Sequence, residues 1–300
     1  ARNIISGPKA GHADMGPTAR ILPDGKRLHL QHGPIDLIIG ADGDRDTAFR
    51  VAQRRFETVL DELVAELPQL KNSVMTNGPA SIGQVAKRMD AAAQPFSTVF
   101  LTRMAAVAGA VADEILAAMT GTCELRRAYV NNGGDIALHL QSDEQFTITI
   151  AGHDGADLGL ITLAAQDGIM GIATSGRHGR SLSLGIADSV TVLAKNAAFA
   201  DVAATLIANS TDLPGHPAIQ RTPAKDVHAD SDLHDLLVTT SVGRLNDGET
   251  AQALKAGEAV ALNMQQTGLV HAVALFLNGD CRLLGTPAFA LHQERTPQHA

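Results

Sequence analysis

The chain has 300 residues, of which 45% are hydrophobic and 19% are charged, and its formal net charge at pH 7 is −8. This composition supplies enough apolar side chains for a core and excludes a chain that is disordered throughout. The acidic balance argues against a general nucleic-acid or anionic-membrane surface, and a single tyrosine with no tryptophan argues against stacking platforms for single-stranded nucleic acid. Because no leader-like apolar run or membrane-length apolar stretch is present, we expect a cytoplasmic protein with no membrane or nucleic-acid partner.

Residues 1–26 are rich in Gly, Pro and polar side chains and predict a flexible N-terminal arm. From residue 27 onward, apolar residues recur at the spacing typical of strands or of helices. Helices are predicted over 47–67 (ended by Pro68), 81–92, 101–119, 198–209 and 249–264. Strands are predicted twice between 27 and 40, and over 126–131, 135–140, 145–151, 159–165, 171–175, 189–194, 236–242, 269–277 and 281–284. Residues 211–232, with three prolines, predict a long surface excursion.

Helices mixed with runs of adjacent strands indicate an α+β fold, in which helices cover a mostly antiparallel sheet. We expect one domain over residues 27–291, followed by a polar tail over 292–300. Cys123 and Cys281 are far apart in sequence and form no metal or redox motif, so we expect two reduced thiols.

The first candidate site is the turn Asn132-Gly133-Gly134-Asp135 between two predicted strands. Two glycines permit positive φ and leave a bare backbone against which a ligand can lie. The neighbouring amide and carboxylate groups suit a ribose, a phosphate or a base edge. An ordinary hairpin turn uses the same residue types, so the turn alone leaves both interpretations open.

The second candidate site is the segment from Thr174 to Arg180, which contains Ser175, Gly176, Arg177 and His178. Hydroxyls, glycines and two arginines within a few residues suit the binding of phosphate oxygens. A solvated loop of turn-forming residues is the alternative interpretation.

The third candidate site is the pair Asp201 and Thr205 on the predicted helix 198–209. Positions i and i+4 share one helix face, so a carboxylate and a hydroxyl point the same way. Two such hard oxygen donors suit Mg²⁺. The alternative is that Asp201 complements the helix dipole and Thr205 bonds back to a carbonyl.

Three other acidic or histidine-rich clusters are set aside. The residues Asp42, Asp44 and Asp46 begin like a calcium loop, but the glycine and the bidentate glutamate that such a loop requires are missing. The histidines and aspartates of 228–235 include zinc ligand types, yet a solvated segment is the favoured interpretation. The residues 153–157 are interpreted as a loop between strands.

Taken together and in this order, the three candidate segments resemble the ApbE family. The resemblance rests on Gly133-Gly134-Asp135-Ile136, Ala173-Thr174-Ser175-Gly176 and Ala200-Asp201-Val202-Ala203-Ala204-Thr205, and it is strongest over 103–209. It is closest to an uncharacterised cytoplasmic branch of ApbE-related proteins, with the segment Ser181–Ser183 as a further match. It implies an ApbE-like, T-fold-related architecture and a flavin transferase chemistry in which FMN from FAD is attached to a target protein with Mg²⁺.

Carried over residue by residue, the resemblance assigns Asp201 and Thr205 to the metal, completed by a carbonyl near Val107 or Ala108. It assigns Asn132, Gly133, Gly134 and Asp135 to the nucleotide, and Thr174, Ser175 and Gly176 to the flavin pocket. This sequence departs from the family pattern where Ala108 replaces a lysine and where the His-x-Ile-x-Asp-Pro segment after Thr-Ser-Gly is absent.

We therefore expect a protein that binds a phosphorylated small molecule of the flavin or nucleotide type (FAD or FMN) with Mg²⁺. In an FMN transferase or FAD pyrophosphate-cleaving enzyme, Arg177 and Arg180 would clamp oxygens and His178 would accept a proton. The alternative is a non-catalytic binder of a flavin or pterin-like metabolite. A homo-oligomer, or an assembly component whose Ala/Gly-rich helix packs against a partner, is a further expectation.

Overall fold

The computed structural model describes residues 16–74, 80–151, 157–285 and 289–291. The first 15 residues of the expected arm, most of the loop expected at 153–157 and the tail 292–300 lie outside these ranges. The strands are β1 Thr18–Ile21, β2 Arg27–His32, β3 Ile35–Gly43, β4 Leu125–Asn132, β5 Asp135–Leu140, β6 Gln145–Ala151, β7 Asp157–Ala164, β8 Gly171–Ser175, β9 Ser189–Ala194, β10 Ile219–Pro223, β11 Leu237–Val242, β12 Ala272–Leu277, β13 Asp280–Leu284 and β14 Phe289–Leu291. The helices are α1 Arg45–Leu70, α2 Gln84–Ala93, α3 Val107–Thr120, α4 Ala197–Ser210, α5 Ala224–Val227 and α6 Asp247–Gln266.

A nine-stranded sheet forms the centre of the described structure, in the order β1-β2-β3-β4-β5-β8-β9-β12-β13. Every neighbouring pair in it is antiparallel. The expected α+β fold with a mostly antiparallel sheet is therefore confirmed. Two smaller sheets, β10-β11 and β14-β7-β6, complete the described strands.

Successive side chains along the central strands point to opposite faces of the sheet, and the helices cover one of these two faces. In β3 and β4, Leu37, Ile39, Ala128 and Val130 are buried in the larger core, together with the apolar faces of α1, α2, α3, α4 and α6. On the other face, Leu138 and its neighbours form a second core with the small sheet that contains β6 and β7. The small sheet covers the part of the central sheet around β5, β8 and β9.

Three predicted boundaries need correction. Thr18–Ile21, expected to lie in the flexible arm, pairs with β2 as an edge strand, and its four exposed side chains carry no apolar pattern. Helix α1 continues past Pro68, which lies in its last turn, because Leu70 is fully buried and extends the packed face. The excursion at 211–232 contains β10, which pairs with β11 across the sequence.

Candidate functional site

Helices α3 and α4 begin side by side, and each carries a carboxylate that accepts hydrogen bonds from the start of the other. The backbone N–H of Gly109 donates to Oδ2 of Asp201 over 3.0 Å. In return, the N–H groups of Ala197 and Ala198 donate to the carboxylate of Asp113 over 3.0 and 2.9 Å. These bonds satisfy N–H groups that the first turn of a helix leaves without partners. Asp201 therefore complements the start of the neighbouring helix α3, whereas the alternative from the sequence has it complement its own helix.

The close approach of the two helices depends on Gly109. A Cβ atom at this position would lie 2.3 Å from the carbonyl oxygen of Ala197. Any side chain at residue 109 would therefore separate the two helix starts and move Asp201 away from α3.

A cavity of about 390 Å³ opens beside these helix starts. Asp201 and Thr205 both line it, so their predicted common face is confirmed, and Asp135 and Arg180 line it as well. Its other charged or polar residues are Thr102, Ser181, Asn209, His228, Asp230, Ser231 and Asp232. Its larger apolar residues are Phe100, Leu101, Met104, Val107, Leu182, Leu184 and Leu233. We call this space the acidic cavity, because four carboxylates face one guanidinium in it.

The carboxyl groups of Asp135 and Asp201 have raised pKa values. Burial raises the pKa of Asp135 to about 7, against the opposing effects of a hydrogen bond from the Thr174 backbone and the charge of Arg180. Burial, reinforced by the negative charge of Asp135, raises the pKa of Asp201 well above its ordinary value. Two carboxyl groups that oppose each other's ionisation would both be stabilised in their ionised forms by a cation bound between them.

Gly133 and Gly134 do not line the acidic cavity but a neighbouring one, and Arg180 lines both. Asn132 does not face a ligand through its amide nitrogen, since Nδ2 donates to the carbonyl oxygen of Ala108 over 3.1 Å. Gly133 and Gly134 adopt φ values of 65° and 114°, as the turn predicted. The Arg180 guanidinium lies on the bare backbone of Gly133, where a Cβ would be 1.8 Å from Nη2.

The segment from Thr174 to His178 contributes less to the acidic cavity than the sequence predicted. Thr174 does not line the cavity: its hydroxyl lies 3.0 Å from that of Thr191, and its backbone N–H donates to Asp135, which does line it. Arg177 donates to Oδ1 of Asp188 over 2.8 and 2.6 Å, and Nε2 of His178 lies 3.3 Å from the same oxygen. Within the described ranges, Ser175, Gly176, Arg177 and His178 do not line the cavity.

The sequence predicts a solvated segment at 228–235, but residues 228–233 form one wall of the acidic cavity. The Thr102 hydroxyl donates to Asp232, and Nζ of Lys71 donates to the carbonyl oxygen of Asp230 over 2.7 Å. The histidine and aspartates of this segment are visible in the sequence, but no local pattern indicates that it contacts Lys71 and Thr102. The described residues hold no group of three or more His, Cys, Asp or Glu side chains suited to a metal ion.

The donor set of the acidic cavity fits Mg²⁺. Asp201 and Asp135 offer carboxylate oxygens and Thr205 offers a hydroxyl, which are the hard ligands that Mg²⁺ prefers, with water completing its shell. A flavin or similar ring fits less specifically, since Phe100 is the aromatic side chain that the described cavity wall provides.

No described helix is long and apolar enough to span a membrane.

Similarity to known proteins places the chain in a family. The model of the family described as "AbpE bacteria" matches residues 19–283. A UPF0280 protein of Methanopyrus kandleri is 34% identical over 179 residues, which cover 59% of this chain and 70% of the relative. A UPF0280 protein of Methanothrix thermoacetophila is 39% identical over 109 residues, which cover 36% of this chain and 45% of that relative.

Among solved structures, an ApbE protein from Thermotoga maritima is similar with a TM-score of 0.48 and 11% sequence identity, covering 85% of this chain and 96% of that chain. The match of the family model over most of the chain confirms the resemblance drawn from the sequence motifs. The chain belongs to the bacterial AbpE family, and thus to the ApbE-like proteins.

Proposed function

We propose that the acidic cavity binds a phosphorylated ligand of the flavin or nucleotide type as its magnesium complex. The observation that carries this proposal is the convergence of Asp135, Asp201, Thr205 and Arg180 on one cavity. Asp230 and Asp232 add two more carboxylates to the same space. A divalent cation would displace the protons that the raised pKa values of Asp135 and Asp201 keep on these carboxyl groups, and it would offset the negative charge that repels a phosphate.

Asp201, Asp135 and Thr205 are the residues that would hold the ion. When bound, Mg²⁺ would neutralise phosphate charge and stabilise a phosphate leaving group. The guanidinium of Arg180, held against Gly133 at the cavity edge, supplies a fork of donors to the remaining phosphate oxygens. Side chains of Phe100, Leu182 and the other apolar lining residues would shield the organic part of the ligand from water.

The volume of the acidic cavity bears on the size of the ligand. At about 390 Å³ it lies near the lower end of ligand pockets, which span roughly 300–1,000 Å³. This size favours one mononucleotide-sized group, such as FMN, over a complete dinucleotide held inside the cavity.

Catalysis needs a group that moves a proton next to the ligand. His228 lines the acidic cavity and would be the imidazole available to a ligand there, whereas His178 lies against Asp188. An FMN transferase or pyrophosphate-cleaving reaction on FAD would therefore use His228 in preference to His178. Engagement of both His178 and Arg177 by Asp188 favours the second candidate, a non-catalytic flavin binder.

The test combines binding and product analysis. We expect FMN and FAD to raise the melting temperature in the presence of Mg²⁺ and to lose this effect in EDTA, because a ligand stabilises the state that binds it. Thr205→Val removes the hydroxyl and should abolish the Mg²⁺-dependent rise in melting temperature. Thr120→Val, at an α3 hydroxyl bonded to the Leu116 carbonyl, is the matched control.

Release of AMP and FMN from FAD separates the two candidate functions. An enzyme should lose product formation in His228→Ala and keep it in His178→Ala, with FMN binding retained in both variants. Binding without product in the wild type supports the non-catalytic binder. Absence of any Mg²⁺-dependent stabilisation by FMN or FAD would refute the proposal.

A further inference from the structure

A second cavity lies on the face of the central sheet that the helices do not cover. In β3 and β4, Gly40, Asp42, Arg127 and Tyr129 alternate with the residues of the larger core and so point away from it. Together with the neighbouring strand β6, these residues surround a space of about 460 Å³. We call this space the basic groove.

The basic groove concentrates positive charge in a chain whose net charge is −8. Lys26, Arg27, Arg45 and Arg127 line it, and Asp42 is its lining carboxylate. Asp42 is shared, because it accepts from Arg45 over 3.1 Å and from Arg127 over 2.6 Å. One carboxylate between two guanidinium groups leaves positive charge in excess at this end of the groove.

Two further carboxylates lie near the groove without lining it. Asp24 pairs with Arg27 at 2.5 Å. Glu144 pairs with Arg126 at 3.0 Å and approaches Arg127 only at 4.0 Å. Lys26 forms no ion pair within the described ranges, so its ammonium group adds to the excess. Even with both outer carboxylates counted, the four lining cations outnumber the three carboxylates.

Aromatic rings form the floor of the groove. The Tyr129 ring lies against the bare backbone of Gly40, where a Cβ would be 2.4 Å from Cε1. Phe146 meets Tyr129 edge to face, with ring centroids 6.1 Å apart, and the Arg127 guanidinium lies 5.7 Å from the Phe146 centroid. The Arg127 guanidinium thus lies beside an apolar surface, where its hydrogen bonds to an anion are stronger than in open water.

We infer that the basic groove binds a small, multiply charged oxyanion, independently of Mg²⁺. Phosphate and carboxylate groups share the recognised chemistry, which is a set of oxygens that can accept from several guanidinium donors at once. This site differs in sign from the acidic cavity, which needs a cation before it can accept an anion. The inference therefore does not rest on the proposed function.

The composition of the chain supplies a reporter for this site. Tyr129 is the only tyrosine and there is no tryptophan, so tyrosine emission reports the basic groove alone. We expect inorganic pyrophosphate, which does not absorb in the tyrosine band, to change this emission saturably in EDTA. A parallel titration with citrate distinguishes phosphate recognition from recognition of carboxylates.

Lys26→Gln and Arg127→Gln should each weaken pyrophosphate binding by roughly tenfold, since each removes a charge-assisted contact. Arg126→Gln, a charge-matched change at the neighbouring residue that does not line the groove, should leave the affinity unchanged. Lys26→Gln keeps the test decisive if Arg127→Gln fails to fold, because Lys26 is exposed and has no ion pair to lose within the described ranges.

A saturable emission change that weakens in Lys26→Gln and not in Arg126→Gln would support the site. No saturable change with either anion, or equal weakening in all variants, would overturn it. A change that requires Mg²⁺ would also overturn it, because the cationic side chains of the groove would then not suffice to bind the anion. Loss of flavin binding at the acidic cavity would leave this result untouched.

Discussion

The buried carboxyl groups of the acidic cavity predict that stability depends on pH and on metal. The perturbation that isolates this effect is Asp135→Asn, which removes the charge beside Asp201 and keeps a side-chain oxygen for the Thr174 backbone N–H. Because the two carboxyl groups influence each other, their protons are released as a property of the pair. The variant should therefore also lower the pKa of Asp201, because the negative charge of Asp135 no longer opposes its ionisation.

The direction in which stability changes with pH follows from the raised pKa of Asp135. In the unfolded chain this carboxyl titrates near 3.8, whereas burial raises its folded-state pKa to about 7. The folded state thus keeps a proton that the unfolded state has lost. The resulting stabilisation is complete below pH 3.8 and disappears as the pH rises through 7. A difference of this size corresponds to about 4 kcal/mol at most.

Chemical denaturation in EDTA at pH 5 and pH 8, followed by far-ultraviolet circular dichroism, measures this dependence. We expect the wild type to lose several kcal/mol of unfolding free energy between these pH values, and Asp135→Asn to lose much less. At pH 8, Mg²⁺ should restore stability to the wild type and not to the variant. Asp143→Asn, in the exposed β5–β6 turn at a positive φ that asparagine tolerates, is the control and should follow the wild type.

Equal pH dependence in the wild type and in Asp135→Asn would refute the reasoning. The same would be true of an effect of Mg²⁺ that persisted undiminished in the variant. Either result would mean that Asp135 is hydrated and ionised in the folded protein at neutral pH and does not share a cation site with Asp201.

Three other predictions test the surroundings of the site. Gly109→Ala should lower the unfolding free energy by about 1–3 kcal/mol, as overpacking does. The control Gly248→Ala, in the first turn of α6, should change this free energy little or raise it by up to about 1 kcal/mol. Urea denaturation measures the unfolding free energy of both variants. Asp113→Ala leaves two buried N–H groups at the start of α4 without their acceptor, so it should cost at least about 2 kcal/mol and also weaken Mg²⁺ binding measured by calorimetry. Arg180→Gln should weaken FMN binding about tenfold without weakening Mg²⁺ binding in the same calorimetric experiment.

Much of the fold could be predicted because local patterns determine it. The strands on either side of residues 33–34 and the helices α4 and α6 follow from apolar spacing and were placed within two or three residues of their observed ends. Strand β1 was missed because all four of its side chains are exposed and only its backbone pairs with β2. An edge strand of this kind leaves no hydrophobic pattern in the sequence.

The candidate site was only partly predictable for a similar reason. The common face of Asp201 and Thr205 follows from helical geometry, and the glycine turn next to Asp135 follows from its own residues. The side chains of Arg177 and His178 were expected at the ligand, but the loop after β8 folds back so that Arg177 N–H bonds to Ala187 and both side chains meet Asp188. That return is a tertiary contact which no local spacing encodes.

The segment 228–233 was not expected at the site, yet it lines the acidic cavity. Its polar composition is typical of a solvated loop, and several of its residues are indeed exposed. The contacts of its Asp230 carbonyl with Lys71 and of Asp232 with Thr102 bring it to the acidic cavity across more than 100 residues of sequence. Contacts over such separations become visible only in the folded structure.

The most direct measurement is the fluorescence titration of FMN with the wild-type protein at pH 8, once with Mg²⁺ and once with EDTA. We predict saturable binding near one FMN per chain with Mg²⁺, and at least tenfold weaker binding after chelation, because the excess carboxylates then repel the phosphate. Equal affinity in both titrations, or no saturable binding in either, would contradict the magnesium-dependent acidic cavity.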